Sequence, residues 1–251
     1  MNPTTTPSPA GGPTEPPAPA KPRRSRGRLI SLVVGLGLVL AGVSVLAYVG
    51  WQYWGTDIIS KRKQAELRDD LEARWEYPTV VDVLGPDSVR NNLGSSEALI
   101  RIPSFGADYE VPMIEGVRDS DLSRGIGHFP GAGPGQLGNF ALAAHRVTHG
   151  EPFRDMPDLR PGDEVIVETA DATYTYVLDT DPNDLNVSFT QNWVIEQVPV
   201  PPEGQSAPPG MPTFETDQPT EALITLTTCS ELFHTDNRLV AFGHLVSTTP
   251  K

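Results

Sequence analysis

A single cysteine and an arginine that follows it have the clearest chemical potential in this chain. Cys229 ends the apolar run EALITLTTC, and Arg238 opens the next apolar run, RLVAFGHLV. The residues between the two runs are polar and turn-prone, so the runs are expected to pair as neighbouring strands about 4.8 Å apart. Cys229 and Arg238 should therefore lie close together, and a neighbouring guanidinium favours the thiolate, the nucleophilic form of cysteine.

Cysteine chemistry also needs a group that moves a proton, and the sequence offers 5 histidines. His145 follows the apolar run Phe140–Ala144 and precedes a loop near His149, a position where catalytic side chains are often held. His244 lies within an apolar run, which favours a structural role. His234 lies in the loop between the two runs, where it could line a site without acting in it. His145 is therefore the predicted acid and base.

Each of these residues also has an ordinary structural interpretation. A lone cysteine is often an inert, buried, small hydrophobic residue, and a lone arginine can simply be a solvated strand start. His145 and His149 could begin a zinc site, but no third ligand follows at a recognisable spacing. We therefore predict neither a metal site nor a cofactor, and only the combination of residues favours catalysis.

Short apolar runs separated by Gly, Pro, Asn and Asp predict an all-β domain over residues 79–251. The predicted strands are Ala98–Ile102, Tyr109–Ile114, Phe140–Ala144, Glu164–Glu168, Thr173–Leu178, Trp193–Val200, Ala222–Thr228 and Arg238–Val246. Short strands with frequent turn signals indicate a barrel or a sandwich. The glycine-rich stretch Ile126–Gly138 is predicted to be a loop, and Pro199–Pro219 a long exposed loop.

A long apolar segment precedes this domain. Leu29–Gly50 carries no charged residue, and roughly 20 apolar residues are enough to cross the hydrocarbon core of a membrane. With the aromatic residues that follow, the run predicts a transmembrane helix over residues 29–54. A cleaved signal peptide and a buried core helix are the alternatives, but no clear small-residue cleavage site follows. Basic residues precede the run, so the positive-inside rule places the N-terminus in the cytoplasm and the domain outside the cell.

Two further segments flank the predicted transmembrane helix. Residues 1–28 are rich in Pro, Thr and Ala, which predicts a disordered cytoplasmic tail with basic residues at its end. Residues 55–78 contain the helical pattern Ile58–Trp75. This pattern predicts either a stalk outside the membrane or a helix that lies against the domain.

The charge of the chain is unevenly distributed. Of 19 basic and 32 acidic residues, five basic and one acidic fall in residues 1–28, which leaves 14 basic and 31 acidic residues elsewhere. A domain this acidic repels phosphate backbones, so we exclude a general nucleic-acid-binding protein. Solubility alone explains such an excess of acidic residues, although a cationic partner would also fit it.

Together these motifs resemble the sortase family. Thr225–Cys229 reads Thr-Leu-Thr-Thr-Cys and is followed by Arg238, which is similar to the sortase hallmark of Thr-Leu-x-Thr-Cys and a later arginine. His145 in NFALAAHRVTHGEPF is similar to the family's catalytic histidine, and the resemblance runs over about Ala98–Val246. The tracts YEVPMIEGV and RGIGHFPGAGPGQLGNF are most similar to actinobacterial class E sortases.

The sequence departs from the class E pattern in three places. Phe129 replaces a common tyrosine, Ala144 replaces the glycine that usually precedes the histidine, and the Pro-rich loop before Glu221 replaces a more regular segment. The lost tyrosine hydroxyl bears on substrate preference. The Pro-rich loop is a candidate cover for the substrate groove.

The resemblance implies an eight-stranded sortase β-barrel with short helices, acting as a transpeptidase at the outer face of a cell membrane. Cys229 would attack the Thr carbonyl of a secreted protein's C-terminal sorting signal, Leu-Pro-x-Thr-Gly or Leu-Ala-x-Thr-Gly. Arg238 would stabilise the oxyanion, and His145 would protonate the leaving Gly amine and then deprotonate the incoming amine. That amine would belong to a peptidoglycan precursor or to a pilin lysine. The implied substrate contacts are Thr227, Thr228, His128 and Phe129.

Two other functions fit the same residues. A non-catalytic envelope scaffold could keep the fold for binding, although such a protein would be expected to lose one of the three catalytic residues. A hydrolytic cysteine peptidase would form the same thioacyl intermediate, since water and an amine compete for it. Product analysis with and without an added amine separates the hydrolase from the transpeptidase.

Overall fold

The structure of the chain, a computed structural model, describes residues 26–51, 55–76, 95–229 and 236–251. The predicted disordered tail before residue 26, two residues of the aromatic belt, the start of the predicted β-domain and His234 lie outside these ranges. The chain divides into two units, Met1–Ala47 and Tyr48–Lys251.

Helix α1, Arg26–Gly50, contains the predicted membrane span. Within the described residues, one helix is long and apolar enough to cross a membrane, and it covers Leu29–Gly50 with a mean hydropathy of 2.6. A signal sequence near the N-terminus can meet the same criterion of length and hydropathy. The helix is thus compatible with a single-pass membrane anchor.

The second unit contains nine strands among its described residues, with short helices between them. The strands are β1 Ser96–Arg101, β2 Val111–Glu115, β3 Ile126–His128, β4 Gly138–Ala144, β5 Glu164–Glu168, β6 Ala172–Leu178, β7 Asn186–Ser188, β8 Ala222–Cys229 and β9 Asn237–Pro250. The α-helices are α2 Thr56–Glu76 and α3 Asp119–Leu122, and 3-10 turns cover Pro103–Phe105, Met156–Asp158 and Asn192–Ile195.

The strands form one sheet that closes into a barrel. Their order is β6-β5-β1-β2-β3-β4-β8-β9-β7, and an additional pairing of β6 with β9 joins the ends of the first eight strands. The remaining strand, β7, pairs with β9 on the outside of this ring. Two neighbouring pairs, β2 with β3 and β4 with β8, run parallel, and the other pairs run antiparallel. The predicted all-β, eight-stranded barrel with short helices is confirmed, and closure leaves the ring without free strand edges.

The barrel interior is a single apolar core. Phe140 and Leu142 of β4 pack in it with Ile224 and Leu226 of β8, and all four are fully buried. Each such side chain contributes roughly 1.5–3 kcal/mol by leaving water. This burial holds β4 and β8 side by side.

A second, smaller cluster lies around β7 and explains a wrong prediction. Trp193 and Val194 are buried there, and the Trp193 ring stacks on Phe242 of β9 with centroids 5.9 Å apart. A short 3-10 turn directs both side chains into this cluster, so the strand predicted over Trp193–Val200 does not form. Met211 of the Pro-rich loop is buried in the same cluster, so this loop is anchored rather than wholly exposed.

Strand β3 was predicted to be part of a glycine-rich loop, and this prediction is wrong. The strand is only three residues long and contains Gly127, which strand propensity disfavours. A Cβ at Gly127 would lie 2.5 Å from the Gly116 carbonyl oxygen and 2.6 Å from the Leu122 side chain. The glycine is therefore required by the close approach of α3 and its preceding loop.

Helix α2 lies against the barrel, which decides between the two predictions for this segment. Leu71 is only 2% exposed, and Arg74 donates a hydrogen bond of 2.9 Å to the Ser96 carbonyl oxygen of β1. The Lys251 ammonium lies 4.0 Å from the centre of the Trp75 ring. The helix therefore belongs to the same unit as the barrel.

Candidate active site

The pairing of three strands brings the predicted catalytic residues together. In the parallel pair β4 and β8, Ala144 is the partner of Thr228, so His145 and Cys229 follow at the same end of neighbouring strands. In the antiparallel pair β8 and β9, Cys229 is the partner of Arg238. Adjacent strands lie about 4.8 Å apart, so the backbone of Cys229 lies between those of His145 and Arg238.

Buried hydrogen bonds fix the relative positions of β4 and β8. The Thr228 hydroxyl donates to the Ala144 carbonyl oxygen at 2.7 Å, one residue before His145. The Thr225 hydroxyl donates to the side-chain oxygen of Asn139 at 2.8 Å. The Asn139 amide nitrogen donates in turn to the carbonyl oxygen of Val194 at 3.0 Å. Through Asn139, the two strands are also tied to the 3-10 turn Asn192–Ile195.

His145 is followed by a loop that folds back against its ring. The ring of His149 stacks on the ring of His145, with centroids 4.7 Å apart and planes inclined by 28°. The Phe153 amide donates to the His145 carbonyl oxygen at 3.0 Å, which closes the loop at its base. From the sequence, His149 was only a possible zinc ligand, and in the structure it makes this ring contact instead.

A groove of about 690 Å³ opens at this end of the barrel. His145, Thr227, Thr228 and Arg238 line it. Much of the remaining wall is apolar and includes Val117, Leu122, Phe129, Val187, Phe189, Val194 and Ile195. Phe189 is 56% exposed although it is aromatic, which is typical of a surface that contacts a ligand. The predictions from sequence missed Phe189, because β7 is too short to show a strand pattern.

Helix α3 forms one rim of the groove, where Asp119 and Leu122 line it. The Arg118 guanidinium donates to the Asp121 carboxylate at 2.9 Å, and the Arg118 amide donates to the same carboxylate at 3.1 Å. The hydrogen bond from the Arg118 side chain lowers the pKa of Asp121, although burial acts in the opposite direction. This pair caps the short helix and holds the rim in place.

The four predicted substrate contacts divide into two groups. Thr227, Thr228 and Phe129 line the groove, and the Phe129 amide is held by the Ala141 carbonyl oxygen at 2.9 Å. His128 is only 5% exposed and does not line the groove. Its two ring nitrogens lie 2.9 Å from the Glu115 carboxylate and 3.0 Å from the Ala132 carbonyl oxygen. The geometry gives His128 a structural role in holding the strand that leads to Phe129.

The other end of β8 carries a second cavity, of about 560 Å³. His244 lies there with its Nδ1 atom 2.9 Å from the Asp179 carboxylate. Gly210 and Pro212 of the Pro-rich loop line this cavity, and no residue of Pro199–Pro219 lines the groove at the Cys229 end. The Pro-rich loop is therefore not a cover for that groove.

Among the described residues, no group of three His, Cys, Asp or Glu side chains could hold a metal ion.

Comparison with known proteins gives consistent matches. Residues 100–246 match the family model described as Sortase domain. Sortase SrtE1 of Streptomyces coelicolor is 31% identical over 229 residues, which cover 88% of this chain and 58% of that protein. This chain thus spans less than two thirds of the length of that relative.

Solved structures agree with the family match. The structure of sortase E from Streptomyces avermitilis is 36% identical, with a TM-score of 0.50, covering 62% of this chain and 90% of that one. The SrtF sortase from Corynebacterium diphtheriae is 26% identical, with a TM-score of 0.53, covering 67% of this chain and 90% of that one.

Proposed function

Because this chain belongs to the sortase family, we propose that it is a cysteine transpeptidase whose active site consists of Cys229, His145 and Arg238. The strand register, in which Cys229 lies between the ends of two partner strands, is the observation that carries the proposal. His145 and Arg238 also line one groove, which is large enough for an extended peptide. A non-catalytic scaffold would have no need of this convergence of three residues.

The first half of the reaction forms a thioester. The Cys229 thiolate attacks the Thr carbonyl carbon of the sorting signal, and Arg238 stabilises the negative charge on the carbonyl oxygen. The tetrahedral intermediate collapses with cleavage of the Thr–Gly bond, and His145 in its protonated form donates a proton to the leaving Gly amine. The products are a thioacyl enzyme, a neutral imidazole and a peptide with a free amino terminus.

The second half transfers the acyl group. An incoming amine attacks the thioester carbonyl, and the neutral imidazole of His145 accepts the proton that this amine loses. The thiolate leaves, so the enzyme returns with the same charges as at the start. At their ordinary pKa values near 8.5 and 6.5, a thiol and an imidazole are both charged in under roughly 1% of molecules at pH 7. Arg238 beside Cys229 raises that fraction by favouring the thiolate.

The apolar groove wall supports a substrate with apolar side chains before the scissile bond. Phe129 and Phe189 offer contact area to the Leu and the Pro or Ala of a Leu-Pro-x-Thr-Gly or Leu-Ala-x-Thr-Gly signal. Phe129 provides no hydroxyl, so this part of the signal is selected by shape and apolar contact.

The partners and the location follow from the same proposal. The substrates are secreted proteins with a C-terminal sorting signal, and the acceptor amine comes from a peptidoglycan precursor or from a pilin lysine. Helix α1 anchors the chain in the membrane with its N-terminus in the cytoplasm and the barrel outside the cell.

Mass spectrometry of the full chain in detergent micelles tests this proposal. The chain is incubated with each of the two sorting peptides, with and without a nucleophilic amine, and compared with Cys229→Ala. We expect a thioacyl adduct on Cys229 and an amine-dependent transfer product, both absent from the variant. Hydrolysed product alone, in excess amine, would identify a peptidase. No adduct with either peptide would favour the scaffold.

A further inference from the structure

The loop after His145 has an unusual backbone. His149 has a φ of 58° and Glu151 a φ of 52°, and Gly150 between them has a φ of 83°. Left-handed conformations are uncommon for residues with a side chain, and two of these three residues have one. Such a segment persists only where its surroundings hold it.

Helix α2 supplies contacts that hold this segment. The Asp57 carboxylate accepts a hydrogen bond of 3.0 Å from the Gly150 amide. The buried Gln64 side chain donates to the His149 carbonyl oxygen at 3.4 Å. A Cβ added to Gly150 would lie 2.9 Å from the Gln64 amide nitrogen, so the loop and the helix are closely packed.

The charged groups around Asp57 also indicate close packing. Burial and the nearby Asp57 carboxylate raise the pKa of Glu151, while Arg154 and Lys61 act in the opposite direction. Arg154 also donates a hydrogen bond to Glu151 within the loop. The end of α2 therefore contributes to the charge balance of the loop as well as to its backbone contacts.

We propose that α2 clamps the loop behind His145, with Asp57 and Gln64 as positioning residues that act through the stacked ring of His149. His149 contacts His145 on one side, and its carbonyl oxygen and the following amide are held by α2 on the other. Loss of the clamp lets the loop leave its left-handed conformation and withdraws the support of the His145 ring. This inference rests on the proposed transpeptidase function, because it assigns His145 its acid and base role.

Three variants of the full chain in detergent micelles test the clamp. Asp57→Ala removes the acceptor for the Gly150 amide, whereas Asp57→Asn keeps an acceptor oxygen without the charge. Asp69→Ala is the matched control, because Asp69 lies on the same helix with its side chain 71% exposed. Each is measured for kcat and KM with a sorting peptide, and for hydrogen exchange at the amides of residues 148–151.

For Asp57→Ala we expect a loss of about fivefold to tenfold in kcat with little change in KM, which corresponds to the loss of one hydrogen bond of ordinary strength. The Gly150 amide should exchange faster by a similar factor. Asp57→Asn should recover most of the activity, and Asp69→Ala should match the unaltered chain. If Asp57→Ala does not fold, Gln64→Ala should show the same pattern with a smaller loss.

Unchanged kcat together with unchanged exchange at Gly150 in Asp57→Ala would overturn the clamp while the transpeptidase proposal stands. If the unaltered chain transfers no peptide, the transpeptidase proposal fails. Hydrogen exchange at residues 148–151 then tests the clamp by itself. Faster exchange in Asp57→Ala but not in Asp69→Ala then supports it, and equal exchange overturns it.

Discussion

The two ends of strand β8 lead to cavities of similar size, about 690 Å³ and 560 Å³, that are built from different residues. At the carboxyl end, the wall holds two histidines, two arginines and three threonines next to a broad apolar surface. At the amino end, the wall holds His244, Asp179 and Glu221 beside two glycines and one proline. Each cavity has a histidine, so a histidine in a cavity does not by itself mark the active site.

The difference lies in how the strands end. At the carboxyl end, parallel β4 and β8 stop level with each other where antiparallel β9 begins, so residues from three strands converge. At the amino end, the His244 ring is paired with the carboxylate of Asp179. The only cysteine of the chain lies at the other end. We therefore expect the carboxyl end to carry the chemistry and the amino end to carry stability.

The largest expected effect comes from replacing the histidine at each end of β8 by alanine, one at a time. His145→Ala removes the proton donor and acceptor, so kcat/KM should fall by about 10³-fold, within the range for general acid–base catalysis. His244→Ala removes a partly exposed contact with the Asp179 carboxylate, so kcat/KM should stay within about twofold and stability should change by at most about 1 kcal/mol. Steady-state transfer assays and thermal unfolding of both variants measure this. Equal losses of activity in the two variants would show that the chemistry is not confined to the carboxyl end of β8.

A second expected effect concerns stability at alkaline pH. The Tyr176 hydroxyl accepts a hydrogen bond of 2.7 Å from the amide of Gly135, which lines the cavity at the amino end. Burial raises the pKa of Tyr176 to about 12 from an ordinary value of 10.0. Between pH 10 and about pH 12, the folded state keeps the phenol proton while the unfolded state loses it. The fold is therefore expected to keep its full stability below pH 10. It should lose roughly 2–3 kcal/mol of stability as the pH rises to about 12.

Denaturant unfolding between pH 7 and 11.5 tests this expectation with Tyr176→Phe. The variant should be less stable near neutral pH by about 1 kcal/mol, because one hydrogen bond is lost. Its stability should fall less steeply with pH than that of the unaltered chain. The slope should not vanish, because burial also raises the pKa of Tyr109. Identical slopes would show that the folded state does not raise the pKa of Tyr176.

Most of the barrel could be predicted because its longer strands have strong local patterns. The runs that became β5, β6 and β8 are apolar, rich in β-branched or aromatic residues and bounded by turn residues, so strand type and approximate bounds followed. The short strands β3 and β7 could not be predicted, because three residues are too few to show alternation. Their pairing depends on long-range contacts such as the close approach at Gly127.

The candidate site was predictable only where it is local in sequence. The pairing of Cys229 with Arg238 follows from a short connection between neighbouring strands, and the strand register confirms it. The position of His145 beside them depends on the parallel pairing of β4 with β8, whose bonded residues Ala144 and Thr228 are 84 positions apart. The clamp by α2 also joins distant segments, and no periodic pattern in either segment predicts this contact.

The smallest expected effect compares two buried threonines of β8. Thr228 holds the Ala144 carbonyl oxygen next to His145, and Thr225 holds Asn139 nearer the middle of the strand. Replacing either by valine keeps the shape and leaves a buried acceptor without its donor, so each variant should lose about 1–2 kcal/mol of stability. Only Thr228→Val should also lower kcat, by roughly tenfold, because a small displacement of His145 weakens proton transfer.

Denaturant unfolding and steady-state transfer by both variants measure these two quantities separately. Equal stability losses with unequal kcat values would show that the Thr228 hydroxyl positions the catalytic end of β4, beyond its part in holding the barrel together. If Thr225→Val lowers kcat as much as Thr228→Val, activity follows global stability, and the hydroxyl next to the site has no special role. The unequal result would locate the functional difference between the two ends of β8 within a few residues of Cys229.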